Sequence, residues 1–209
     1  ADFASGHTPS NKLYISKRDA PSDVAVLLLL DSSLSSDSWV QGKKVMDISK
    51  ESIIVLQEAL DGLFENIMIA SFFSNTRKNC SYNIVKDFSE EWSQCAPKLE
   101  NVSPTGYTRI GVALRHSFFK FSKVKAKKKV VLLLSDGKPT DYDVYEGKYG
   151  IGDVRQCVRE AKSQDISIFS LAIDKDAKFY FPQLFGQKNY EVLSDPKDLH
   201  KLLLVNYNL

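Results

Sequence analysis

Val24-Ala-Val-Leu-Leu-Leu-Leu30 is an unbroken apolar run, entered from Asp23 and left through Asp31-Ser-Ser-Leu-Ser35. It lacks the alternation of a strand with one wet face. A strand buried on both faces reads this way, and such strands belong to parallel sheets covered by helices. The same texture returns in Ile67-Met-Ile-Ala-Ser-Phe-Phe73, in Lys129-Val-Val-Leu-Leu-Leu-Ser135 ending at Asp136, and in Ile166-Ser-Ile-Phe-Ser-Leu-Ala-Ile173 ending at Asp174. A shorter strand is expected over 82–88, at an edge. Between these runs, apolar residues recur every three or four positions. Val45, Ile48, Ser52, Leu56, Ala59 and Leu63 form one such face. Ile110, Ala113, Leu114, Phe118 and Phe121 form a second, and Val154, Cys157, Val158 and Ala161 a third. A last helix is expected from Asp195-Pro196, where Asp caps and Pro suits the first turn. Strand and helix alternate throughout. That predicts an α/β fold, doubly wound, with a mostly parallel central sheet and helices on both faces.

Residues 1–20 are polar and carry Gly, Pro and Ser; they read as a tail or linker, with the folded domain over 21–209. The chain opens without Met, as a piece of a longer protein would. With 209 residues, 43% hydrophobic and 26% charged, the composition is that of one globular domain. A net charge of +2 gives no global field for nucleic acid or an anionic membrane. The basic run Lys120 to Lys129 reads as a solvated helix end and loop, since no aromatic stacking platform accompanies it. No apolar run is long enough for membrane insertion. Cys80, Cys95 and Cys157 are odd in number and lack CxxC spacing, so a reducing, cytoplasmic location is expected.

In open α/β sheets the functional crevice lies past the carboxyl ends of the strands. Two strands here finish in Asp followed by small residues, Asp31-Ser-Ser33-Leu-Ser35 and Asp136-Gly137. A third segment, Gly106-Tyr-Thr108-Arg109, opens a helix toward the same edge. Asp31, Ser33, Ser35, Thr108 and Asp136 together offer two carboxylates and three hydroxyls, all hard oxygen donors. Such a set suits Mg²⁺, with Mn²⁺ or Ca²⁺ as alternatives, and leaves room for an outside carboxylate. Asp31 alone would equally serve as a helix cap, with Ser33 and Ser35 satisfying nearby amides. The tract lacks an adjacent His, Lys or Cys nucleophile.

These three segments, in this order, resemble the metal-ion-dependent adhesion site of von Willebrand factor A domains, which have a Rossmann-like fold. Further stretches sharpen the likeness: Asp37-Ser-Trp-Val, Phe73-Ser-Asn-Thr-Arg77, Gly106-Tyr-Thr-Arg-Ile-Gly-Val-Ala-Leu-Arg-His116, and Asp136-Gly-Lys-Pro-Thr-Asp-Tyr-Asp-Val-Tyr-Glu-Gly-Lys-Tyr-Gly150. They resemble the NorD family of nitric oxide reductase activation proteins and the related CbbO proteins, over about residues 13–205. The resemblance implies a non-enzymatic adaptor at the C-terminal end of a longer chain. It would work with a MoxR-type AAA+ ATPase and its target enzyme, gripping a partner's acidic residue through the metal. The chain itself has no GxxxxGK[ST] loop.

Five residues near the site are candidates for partner contact. Arg77 and Arg109 would clamp a carboxylate, or pair internally with Asp37 or Asp141. Trp39 follows the first tract, and Asp141 and Tyr145 lie in the acidic, aromatic stretch after Asp136. Two other functions stay open at this point. One is a Mg²⁺-dependent phosphohydrolase with Asp31 as phosphoryl acceptor. The other is a stand-alone adhesion or ligand-binding domain.

Overall fold

The computed structural model describes residues 22–40, 42–173 and 175–193. The central strand β1 (Ser22–Asp31) feeds two cores at once. Ala25, Leu27 and Leu29 face helices α3 (Ile110–Phe121), α4 (Gly147–Ser163) and α5 (Phe181–Phe185). Val24, Val26, Leu28 and Leu30 face α1 (Val45–Leu60) and α2 (Trp92–Glu100). Leu27 through Leu30 are all at 0% exposure, which is why the run carries no polar position. Burying each such side chain contributes about 1.5–3 kcal/mol.

The sheet is ordered β5-β4-β1-β6-β7-β8, with β4 (Phe64–Ser74), β5 (Cys80–Lys86), β6 (Lys128–Ser135), β7 (Ile166–Ala172) and β8 (Tyr190–Val192). Every pairing is parallel except β4 with β5, the antiparallel edge. A small hairpin of β2 (Trp39–Val40) and β3 (Lys43–Lys44) precedes α1. The chain leaves β1 toward β4 and later returns to β6 on the other side. The strand order therefore reverses between β1 and β6, which is where α/β sheets open a crevice.

The expected doubly wound sheet is present, and the differences are local. Leu63 was expected on the α1 face but lies beyond the helix, 51% exposed. Helix α1 ends at Leu60, and Gly62 takes φ +75°, a left-handed turn that ends the periodicity. The edge strand begins two residues before 82. Helix α2 carries Pro97 and is nine residues long, too short and interrupted for its periodicity to stand out. The tail 1–20, the Asp174 strand end and the Asp195-Pro196 helix lie outside the described residues. Among the described residues no helix is long and apolar enough to cross a membrane.

Candidate metal centre

Strand register sets the geometry. Leu30 of β1 pairs with Leu134 of β6, so Asp31 and Ser135 leave the sheet side by side. Asp31 is buried and accepts from three donor groups. Ser135 Oγ donates to its Oδ2 at 2.7 Å, and the Ser33 amide donates to its Oδ1 at 3.0 Å. Thr108 Oγ1 reaches both oxygens at 3.3 Å. Ser33 Oγ and Ser35 Oγ share a hydrogen bond of 2.9 Å, and Ser35 Oγ donates to Asp136 Oδ1 at 3.1 Å. A Cβ added at Gly137 would meet Ser35 Oγ at 3.3 Å and Thr108 Oγ1 at 3.8 Å, so those two hydroxyls flank the same small gap. All five residues of the candidate set are thus brought together.

Backbone bonds hold the three segments at this spacing. The Leu34 amide donates to Gly106 O at 3.0 Å, and the Thr105 amide to Ser32 O at 2.8 Å. Ser74 and Tyr107 exchange backbone bonds, as do Thr108 and Thr140. Gly106 sits at φ +66°, and a Cβ there would lie 2.4 Å from Ser74 O. Only glycine allows that approach.

Burial pushes the Asp31 carboxyl above its ordinary range, against the hydrogen bonds from Ser135, Ser33 and Thr108 that pull it down. No Lys or Arg forms an ion pair with Asp31 among the described residues. A buried carboxylate in that position favours a positive charge nearby. Hydroxyl oxygens that now donate to carboxylates carry lone pairs free for a cation. Among the described residues no group of three or more His, Cys, Asp or Glu is placed to hold a metal ion. The donor set fits a hard divalent ion.

Two contributors went unread in the sequence. Ser135, beside Asp136, bonds Asp31 directly. The Tyr180 hydroxyl donates to the Asp136 carbonyl at 2.9 Å from 44 residues away, a pairing with no local signal. The partner-contact candidates divide. Trp39 is 67% exposed, and Arg77 is exposed with its amide on Asp143 Oδ2 at 3.0 Å. Arg109, Asp141 and Tyr145 are buried, which corrects their reading as contact residues. Arg109 Nε pairs with Asp141 at 3.0 Å, its terminal nitrogen pairs with Asp143, and its guanidinium lies 4.1 Å over the Tyr145 ring. Internal pairing with Asp141 therefore accounts for Arg109, while Asp37 pairs with Lys44. Tyr142 and Val144, which interleave with the buried residues, are 78% and 77% exposed and were passed over.

Residues 25–202 match the family model of the von Willebrand factor type A domain. The chain is 34% identical to Protein NorD of Brucella melitensis, over 100% of this chain and 33% of that protein. It is 31% identical to Protein NorD of Stutzerimonas stutzeri, over 92% of this chain and 32% of that protein. The chain thus spans about a third of the length of these curated relatives. The fold is also similar to that of the PilB minor pilin from Streptococcus sanguinis, with a TM-score of 0.63, 15% identity, and coverage of 88% of this chain and 60% of that one. By the match across most of its length, the chain belongs to the von Willebrand factor type A domain family.

Proposed function

We propose that this domain is a non-enzymatic adaptor that grips a carboxylate of a partner protein through a divalent cation, most simply Mg²⁺. Asp31, Ser33, Ser35, Thr108 and Asp136 would hold the ion, directly or through water. The bound ion supplies Lewis acidity toward one outside carboxylate oxygen. The chain's own residues would position that ion. The observation that carries the reading is the convergence of five oxygen side chains, the buried Asp31 among them, from three separate loops.

The similarity to NorD supports an activator role, with a MoxR-type AAA+ ATPase and its target metalloenzyme, such as nitric oxide reductase, as partners. A cytoplasmic site of action goes with it, in keeping with three free cysteines. The phosphohydrolase reading gains nothing here. The hydrogen bonds of Asp31, Ser33, Ser35 and Thr108 run to hydroxyls, amides and carboxylates, not to a general base of the His or Lys kind.

The test is calorimetric titration of Mg²⁺ into metal-stripped protein, with Asp136→Ala alongside, followed by Mg²⁺-dependent capture of the ATPase. The wild type should show one saturable site, and the folded variant should lose both binding and capture. Capture by Asp136→Ala at the wild-type level would sink the reading.

A further inference from the structure

Thr108 is the candidate ligand that comes from neither of the two central strand ends, so its hydroxyl has to be held across the crevice. Its backbone is bridged to Thr140, amide to carbonyl at 2.9 Å and back at 3.1 Å. Its neighbour Arg109 then reaches over the same loop. The guanidinium engages Asp141 and Asp143 and stacks on Tyr145, three residues of one five-residue stretch. The far ends are tied as well. The Tyr145 hydroxyl donates to Asp153 on α4 and accepts from the Gly111 amide on α3, and Asp143 accepts from the Arg77 amide in the β4–β5 turn. Four segments meet at this clasp.

Between the buried residues, Tyr142 and Val144 point out. Val144 takes φ +67°, a conformation a β-branched residue rarely adopts. It persists where surrounding contacts over-determine it. Here those contacts are the Asp141 amide on the Tyr145 carbonyl at 3.0 Å and the Glu146 amide on the Val144 carbonyl at 3.0 Å.

We infer that Arg109 is a positioning residue for Thr108, and that its clasp on Asp141 and Asp143 sets how tightly the metal site holds its ion. Such coupling is reciprocal: whatever tightens the clasp tightens the hold on the ion, and the ion tightens the clasp. This inference rests on the metal-binding reading above.

The test uses Asp143→Ala, because Asp143 lies at the rim of the clasp with a side chain 27% exposed, and Ile53→Val in the opposite core as a control. Two readouts apply: hydrogen exchange of the Thr108 amide in metal-free protein, and Mg²⁺ affinity by calorimetry. In Asp143→Ala, Thr108 exchange should rise and Mg²⁺ affinity fall by roughly tenfold, the usual effect of losing a residue that orients a ligand. Ile53→Val should leave Mg²⁺ affinity unchanged. Thr108 exchange at the wild-type rate in Asp143→Ala overturns the clasp, and unchanged Mg²⁺ affinity overturns the coupling. Absence of Mg²⁺ binding by the wild type overturns the metal reading and the coupling with it, while the exchange result still decides whether Arg109 positions Thr108.

Discussion

Each end of the sheet buries a charged side chain, Asp31 at one and Lys86 at the other, and the two ends solve the problem differently. At the carboxyl end Asp31 is surrounded by hydroxyls and one amide. At the opposite end Lys86, 5% exposed, donates to Ile67 O at 2.6 Å and to Asp87 O at 3.4 Å. Burial shifts the two groups in opposite directions, Asp31 up and Lys86 down, each toward its neutral form. The difference lies in the partners. Carbonyl oxygens can only accept, so Lys86 is closed off by the backbone that folds around it. Hydroxyls both donate and accept. In the proposed metal site the shell of Asp31 would therefore turn its lone pairs toward the cation. One end is finished by folding; the other keeps acceptors that the proposed cation would use.

The largest expected effect on stability tests how tightly the carboxyl end is built. Gly106→Ala puts a Cβ against Ser74 O in a left-handed backbone. Strain of this kind costs about 1–3 kcal/mol before the clash is counted, so a loss near the upper end is expected by chemical denaturation. A loss below about 0.5 kcal/mol would mean that the loops shift freely and that the spacing of Thr108 is not held by the Ser74–Tyr107 bridge. Next in size is the closed end. Lys86→Met removes the donor to the buried Ile67 carbonyl and should cost about 1–3 kcal/mol. Its Mg²⁺ titration should match the wild type, because the change lies across the sheet. A change in Mg²⁺ affinity would break the separation of the two ends.

What was legible in the sequence follows the same division. The run from Val24 to Leu30 announces a doubly buried strand because every residue in it meets a core. The five oxygen donors were legible because each follows a strand or opens a helix, so local order alone aligns them along one edge. Arg109 was not legible as a clasp. Its partners lie 32 and 34 residues away, and nothing local distinguishes a buried ion pair from an exposed arginine. The stretch 141–145 shows the limit most clearly. Alternate residues point in and out, so Asp141 and Tyr145 were named where Tyr142 and Val144 are the exposed ones. Without a known strand on which to register it, an irregular loop gives no phase.

The smallest effect is the most informative about why Asp31 is a carboxylate at all. With no metal present, an ionised Asp31 opposes folding, because its folded pKa is raised above the unfolded value. Its contribution is most favourable below about pH 3.9, where the carboxyl is protonated in both states, and declines as pH rises through the raised folded value. Asn at this position keeps the shape and a hydrogen-bonding oxygen without the charge. Metal-free Asp31→Asn should therefore melt no lower than the wild type at pH 7, and its advantage should shrink as the pH is lowered toward 4. Adding Mg²⁺ should reverse the order, raising the wild type by mass action and leaving the variant where it was. A residue kept for the fold would show the opposite pattern, with Asp31→Asn the less stable protein at pH 7 in the absence of any metal.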